Sequence, residues 1–455
     1  MSWAIRVVRD RYVDSVRLMR VAKELREHGR AEVAMGTPAN LEALAALGVT
    51  VDAGPTDIVI AVEGPEGALD AAERELAAPA ASGDLPAAAA PPRTLLAATD
   101  ANIALISLPG EYATLEAHRA LTRGMHVFLF SDHVSIADEL ALKRRGAELG
   151  RLVMGPGCGT AMLGGVGLGF ANVVRSGSVG VVAAAGTGAQ EVACLLDGAG
   201  VGVSQIIGVG GRDLSNEIGG IMFAQGMRML AADDETDTLL LVSKPPDREA
   251  VEQLANVDVG GKRVVAAFVG WDGGEGPFEI HPTLDAGAFA AANAPAPDED
   301  VDVPRTGGRL LGLYSGGSLA HEAVTILEPR LGGIGGNAGH GGGPHEIFDL
   351  GEEEYTQGRP HPMVDLEVRL DMLRAADAGC VLLDVVIGHG SHPDPASLLA
   401  PVIADLQMPV IAHVCGTVAD PQDAPRQERT LREAGAIVAP TNAAAARLAA
   451  KVVAA

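Results

Sequence analysis

The stretch Val182-Ala-Ala-Ala-Gly186-Thr187-Gly188-Ala-Gln-Glu191 decides the fold. It leaves an apolar strand over 179–184, passes through a two-glycine turn and enters a helix expected over 189–196. Continuous apolar strands alternating with helices mark parallel sheets covered on both faces. In such sheets ligands sit beyond the carboxyl ends of the strands, where helix N-termini point at them. Gly186 and Gly188 let backbone amides approach a ligand, Thr187 can cap the helix, and the helix dipole favours an anion.

The same pattern extends in both directions. Strands are expected over 205–209, 238–242 and 263–268, with helices over 216–230 and 249–255. Upstream, strands fall at 103–108, 126–130 and 151–154, with helices near 114–123 and 136–148. Downstream, strands fall at 310–314, 346–349, 381–387, 409–413 and 436–439. The first eighty residues read as three strands (5–8, 32–35, 57–62) alternating with three helices (15–28, 39–47, 66–76), a small α/β module of ferredoxin-like size. An Ala/Pro-rich linker over 77–93 follows it. A Pro- and acid-containing segment over 285–304 joins the second and third series. The expected domains are therefore 1–80, 94–172, 177–295 and 307–455.

Composition bounds the function. With 455 residues, 47% hydrophobic and only 3% aromatic, the chain must build several cores from small and aliphatic side chains. Against 34 Lys and Arg stand 59 Asp and Glu, a net charge of −25, which argues against nucleic acid and anionic membrane surfaces as partners. An anionic ligand must then be held by local dipoles or a few placed cations. The early charge in Met1-Ser-Trp-Ala-Ile-Arg6 leaves no apolar core for a secretory signal. The uncharged run 152–174 contains seven Gly, so a buried glycine-rich loop is expected there and no membrane span. Cys158, Cys194, Cys380 and Cys415 form no CxxC pair, which argues against a disulfide framework or a thiolate zinc site and fits a reducing cytoplasm.

A second turn shares the layout of the first: Val385-Val-Ile-Gly388-His389-Gly390-Ser391-His392-Pro393-Asp394. Each turn is open to two readings, tight packing or an anion cradle, and the pairing of two favours the cradle. His389 would donate to a phosphate oxygen or move a proton. Glu191, the acid behind the first cradle, is the second catalytic candidate beside His389, although helix N-termini favour acids without catalysis. Arg359, in Gly-Arg-Pro-His-Pro, is a candidate bidentate anion clamp or an acid-paired surface residue beside Glu352, Glu353 and Glu354. His389 and His392 are spaced for metal ligation, but Pro393 keeps them in the entry turn, and no metal is assigned. The 332–344 loop, with eight Gly, lacks the Lys-Ser/Thr ending of a P-loop and reads as a mobile lid or a disordered connector. Cys158 reads as a small buried cysteine, and His413 and Cys415 share one strand face.

These turns belong to a wider pattern. Gly155-Pro-Gly-Cys-Gly159, Gly177-Ser-Val-Gly-Val-Val182, Ala185-Gly-Thr-Gly-Ala-Gln-Glu191 and Ile207-Gly-Val-Gly-Gly211 together resemble the α-subunit of the succinyl-CoA synthetase superfamily. His345-Glu-Ile-Phe-Asp-Leu-Gly351, Val381-Leu-Leu-Asp-Val-Val-Ile-Gly-His-Gly390 and Pro409-Val-Ile-Ala-His-Val-Cys-Gly416 resemble the C-terminal domain of its β-subunit. The fused order, Tyr355-Thr-Gln-Gly-Arg-Pro-His-Pro-Met363 and Asp10-Arg-Tyr-Val-Asp-Ser-Val16 resemble the FdrA branch.

The resemblance implies a Rossmann-like, CoA-binding-like domain over 94–172 and flavodoxin-like domains over 177–295 and 307–455. It also implies a cytoplasmic subunit of an oxamate carbamoyltransferase acting with partner subunits, or as a homodimer, in ureide and purine breakdown. Oxalurate and phosphate would give oxamate and carbamoyl phosphate between the flavodoxin-like domains, with Gly186, Thr187, Gly188, Gly388, Gly390, Ser391 and Arg359 binding the anion. Three features depart from the synthetases. The Gly-His-Ala-Gly motif of their phosphorylated histidine is absent over 271–289, where His281 stands alone. The glycine-rich CoA loop is replaced by Arg9-Asp-Arg-Tyr-Val-Asp-Ser15, and no nucleotide-binding domain intervenes before Gly307. CoA is thus a doubtful cofactor. An acyl-CoA ligase and a non-catalytic scaffold are the alternatives.

Overall fold

The computed structural model describes residues 3–11, 13, 15–26, 29–64, 66–77, 100–271, 276, 278–298, 301–356 and 359–454. The chain divides into two compact units, Met1–Pro91 with Thr356–Pro360, and Pro92–Tyr355 with His361–Ala455.

The first unit alternates β1 (Ala4–Val8), α1 (Ser15–Arg26), β2 (Ala31–Met35), α2 (Pro38–Ala46), β3 (Ile58–Val62) and α3 (Glu66–Ala77). Its sheet has the order β1-β3-β2, with β3 antiparallel to both neighbours. The uninterrupted apolar run Ile58-Val-Ile-Ala-Val62 is wholly buried, as a central strand covered on both faces must be.

The second unit opens with β4 (Ile103–Ile106), α4 (Gly110–Thr122), β5 (His126–Leu129), α5 (Ile136–Glu148) and β6 (Val153–Met154), a three-stranded parallel sheet. The 152–174 glycine run, expected as a loop, instead supplies β6 and a hairpin, β7 (Thr160–Leu163) and β8 (Val166–Gly169). Gly164 and Gly165, both at positive φ, make its two-residue turn. The hairpin extends the sheet built next: β9 (Ser176–Ala183), α6 (Gly186–Gly198), β10 (Val203–Gly208), α7 (Ile221–Ala231), β11 (Thr238–Ser243), α8 (Arg248–Leu254), β12 (Arg263–Phe268), β13 (Glu279–His281) and α9 (Leu284–Ala292). The order is β13-β12-β11-β9-β10-β7-β8, parallel from β9 to β13.

The third series comprises β14 (Leu310–Tyr314), α10 (Gly317–Leu331), β15 (Ile334–Gly335), β16 (His345–Asp349), α11 (Glu353–Thr356), α12 (Glu367–Arg374), β17 (Cys380–Val386), α13 (Pro395–Asp405), β18 (Val410–Cys415), α14 (Ala424–Glu433), β19 (Ile437–Ala439) and α15 (Asn442–Val453). Its six strands are all parallel, in the order β15-β16-β14-β17-β18-β19. The fold is thus the expected mixed α/β one, with several parallel sheets and a small N-terminal module. Among the described residues, no helix is long and apolar enough to cross a membrane.

One continuous core joins the last two sheets. It includes Val181 and Ala183 of β9, Val192 of α6, Leu319 and Ala323 of α10, and Ala443–Ala446 of α15, all buried. The alanines let helices pack closely without aromatic filling, which is how a chain with 3% aromatics closes a core this size. The 332–344 loop, expected as a lid or disordered connector, is folded tightly onto β16. A Cβ at Gly336 would lie 2.2 Å from the Ile347 carbonyl, and one at Gly339 would lie 2.1 Å from that of Ile334.

Candidate functional site

Strand order reverses at two places. β9 has β10 on one side and β11 on the other, and β14 has β16 on one side and β17 on the other. Crevices at such reversals, beyond the strands' carboxyl ends, are where open α/β sheets bind ligands. Each reversal strand feeds a helix, β9 into α6 and β14 into α10, and the N-termini of those helices meet. The Ser318 amide donates to Thr187 Oγ1 at 3.3 Å, and a Cβ at Gly316 would lie 2.9 Å from that same oxygen. The amides of Gly186, Thr187, Gly188 and Gly317 have no acceptor among the described residues. Two positive helix ends face each other around these amides, an arrangement that favours an anion between them.

The α10 turn is held from below. Asp384 of β17, fully buried, accepts from the Ser315 and Gly316 amides at 2.8 Å each and from Arg369 Nη2 at 2.8 Å. At the rim, Asp349 ends β16 and half-buried Lys244 follows β11. A Cβ on Gly317 would lie 2.3 Å from Asp349 Oδ2 and 3.3 Å from Lys244 Nζ. Only glycine lets these two charged groups approach the first turn of α10 so closely. Burial lifts the Asp349 carboxyl to about 6, against the pull of Lys244 and the Gly351 amide. Burial, then Lys244, lowers His321 on α10 to about 4, and burial lowers His361 to about 4. His361 Nε2 would lie 2.8 Å from a Cβ on Gly351, and its ring is tilted against that of Phe170 with centroids 5.6 Å apart.

The second expected cradle does not form. Pro393 and Asp394 delay the next helix to Pro395, so the 388–390 turn opens no helix N-terminus. Two of its amides are engaged, Gly388 donating to Gln422 Oε1 at 3.1 Å and His389 to the Ala171 carbonyl at 2.7 Å, and the Ser391 amide just beyond donates to the Gly388 carbonyl at 3.3 Å. Gly390 packs on Phe170, 2.9 Å from where its Cβ would be. The His389 side chain is exposed. The turn is nevertheless tied to α6 through Asn172, whose Nδ2 donates to the Ile387 carbonyl at 2.9 Å and whose Oδ1 accepts from Gln190 Nε2 at 3.0 Å. It serves as a wall beside the first turn, and tight packing accounts for its glycines.

Glu191 points away from the cradle. It is 1% exposed, and His413 Nε2 lies 2.8 Å from its Oε2 while the Asn442 amide donates to its Oε1 at 3.2 Å. His413 and Cys415 do share a face, toward α6, and Cys194 with burial raises the Cys415 thiol well above its usual range. Burial likewise pushes Cys158 up to about 12. His281, in β13, lies 3.2 Å from Glu279. Arg359 is exposed. Sequence reasoning missed Lys244, Asp349, Asp384 and the Ser315-Gly-Gly-Ser318 turn. The turn had a legible signal, a glycine pair directly after the first strand of the third series, matching 184–188.

These features define a chain with a succinyl-CoA synthetase-like fold. Residues 313–452 match the family model described as CoA-ligase, and residues 1–90 match one described as AllF, heavy metal-associated domain. The chain belongs to the family of the uncharacterized protein YahF of Escherichia coli (strain K12), with 33% identity over 500 aligned positions and 96% of each chain covered. It is also similar to the succinate–CoA ligase [ADP-forming] subunit alpha-2, mitochondrial, of Trichomonas vaginalis (27% identity; 38% of this chain, 57% of that one). The subunit alpha 1 of Archaeoglobus fulgidus is 29% identical over 38% of this chain and 60% of its own. The family thus lies within the succinyl-CoA synthetase-like superfamily, although this chain spans under two thirds of those two ligase subunits.

The N-terminal module contains no cysteine to serve as a soft-metal ligand. The first cysteine of the chain is Cys158. The residues after β1 are instead engaged with acids, Arg9 lying 2.7 Å from Asp57 Oδ2 and the Asp10 amide 2.9 Å from Asp57 Oδ1. Among the described residues no three His, Cys, Asp or Glu are placed to hold a metal ion.

Proposed function

We propose that this chain transfers an acyl group by way of phosphate or an acyl phosphate held between the N-termini of α6 and α10, in the manner of CoA ligases. The meeting of Thr187 and Ser318 carries the reading, because it brings unengaged amides from two sheets to one point. Such donors stabilise charge on a transferring group without reorganising. Lys244 supplies the cation that an acidic protein must place locally. The test is to incubate the purified protein with phosphate and a panel of acyl-CoA thioesters, scoring thiol release and acyl phosphate. Absence of both, with no phosphate binding, overturns the reading.

A second reading, FdrA-type carbamoyl transfer between a ureido acid of the oxalurate type and phosphate, is favoured by one observation. His281 lies in β13, paired beside β12, with Glu279 at 3.2 Å, and no Gly-His-Ala-Gly loop accompanies it. Direct transfer between bound reactants needs no histidine relay. In that case the chain works in the cytoplasm with other carbamoyltransferase subunits or as a homodimer. Carbamoyl phosphate formed from oxalurate and phosphate, with partner subunits present, distinguishes the two chemistries. A scaffold role is the remaining alternative, supported by unchanged turnover in a Thr187→Ala, His389→Ala complex.

A further inference from the structure

The neighbourhood of Gly317 holds a group that the proposed anion site does not yet use. Asp349 is the last residue of β16, in register with Tyr314, so it stands beside the Ser315–Gly317 turn. Its side chain is 4% exposed, Oδ1 accepts from the Gly351 amide at 2.9 Å, and Oδ2 reaches toward the first residue of α10. An oxyanion taking the Gly317 amide therefore meets a carboxylate that water cannot screen. Two negative groups sharing a small site do not both stay ionised.

The other groups around Asp349 do not relieve this conflict. Lys244 follows β11 and is the cation that acts on Asp349 among the described residues, so an ionised Asp349 and a bound anion compete for it. Glu352, just beyond β16, and Asp384 of β17 add negative charge. Asp384 is already committed to the Ser315 and Gly316 amides and to Arg369. His321, one turn into α10, sets Nδ1 against the Gly317 carbonyl at 3.1 Å, and burial holds it neutral. His361, whose Nδ1 accepts from the Met363 amide at 3.3 Å, is held neutral in the same way.

Resting on the anion site argued above, we propose that an oxyanion binds between α6 and α10 together with a proton, and that Asp349 holds that proton. The neutral carboxyl then donates from Oδ2 to the ligand, and Lys244 turns its charge to the same oxygen. Asp349 becomes a specificity-determining residue: it favours ligands that accept a hydrogen bond at this corner, such as phosphates, acyl phosphates and carboxylates. Burial has already brought the carboxyl to about 6, so the proton is available near neutrality.

The experiment is calorimetric titration of the full chain with sulfate, which stays dianionic, in buffers of differing ionisation enthalpy from about pH 5 to about pH 8. Uptake rising toward one proton per sulfate is expected, with affinity falling about tenfold per pH unit above the carboxyl's own value. Asp349→Asn should bind sulfate without proton uptake and without that pH slope, whereas Lys244→Met should weaken binding at every pH yet keep the uptake. Sulfate binding without uptake in the unaltered protein, a measurement that needs no variant, overturns the role of Asp349 and leaves the anion site standing. Uptake that persists in Asp349→Asn moves the proton elsewhere and also overturns it. Failure of both sulfate and phosphate to bind at any pH removes the anion site itself.

Discussion

His413 Nε2 lies 2.8 Å from Glu191 Oε2, with both side chains at least 95% buried, and so joins β18 of one sheet to α6 of the other. Burial works against charge on the imidazole, but the Glu191 carboxylate outweighs it and raises His413 above its ordinary 6.5. A raised histidine contributes stability that is full below its unfolded value and lost as pH rises through its folded value. Glu191→Ala should strand the buried imidazole and cost about 3–5 kcal/mol. Urea midpoints at several pH values check both points: the native protein should lose stability above about pH 6.5, and the variant should lack that component.

A Thr187→Val change keeps the shape at the α6 end but removes the oxygen that accepts from Ser318. We expect a cost of about 1 kcal/mol in stability, together with weaker sulfate binding. Gly317→Ala is the harsher change, since its Cβ would fall 2.3 Å from Asp349 Oδ2. It should destabilise by about 1–3 kcal/mol and abolish sulfate binding, both readable by thermal unfolding with and without the ion.

Strand positions were legible because buried parallel strands are uniformly apolar, as Leu239-Leu-Leu-Val242 shows. The start of α6 at Gly186, three residues before the expected 189, was hidden by the low helix propensity of its glycines. The β7–β8 hairpin was hidden for a similar reason, since glycine in a strand reads as loop. At 388–390 the local pattern matched a cradle, but the competing acceptors are Ala171, distant in sequence, and Gln422. Lys244, Asp349 and Asp384 are single charges at or near the ends of different strands, and only the sheet order brings them together.

Glu322, fully buried on α10, is raised to about 8 by burial and then by Asp285, against hydrogen bonds from Asn442 and the Leu284 amide. Because its folded value exceeds its unfolded one, its stabilising contribution is complete below about pH 4.5 and declines as pH climbs toward 8. Glu322→Gln should flatten that decline while leaving stability at low pH nearly unchanged. Denaturant titrations across this window provide the measurement.

Lys143 is wholly buried, its ammonium 2.7 Å from Glu139 and 2.8 Å from Asp213, and Asp213 accepts from the Phe223 amide in the first turn of α7 at 2.8 Å. Lys143→Met would leave two buried carboxylates facing each other, with Arg212 reaching Glu139 alone. A loss of about 3–5 kcal/mol is expected, seen as an earlier urea midpoint.

Thr187 and Ser318 are 131 residues apart on one polypeptide. The two halves of the cradle are therefore never strangers in solution: their encounter is intramolecular, with a local concentration that the linking chain sets and the protein concentration does not. Dilution that would scatter a site assembled from separate subunits leaves this one formed, so its assembly is independent of protein concentration.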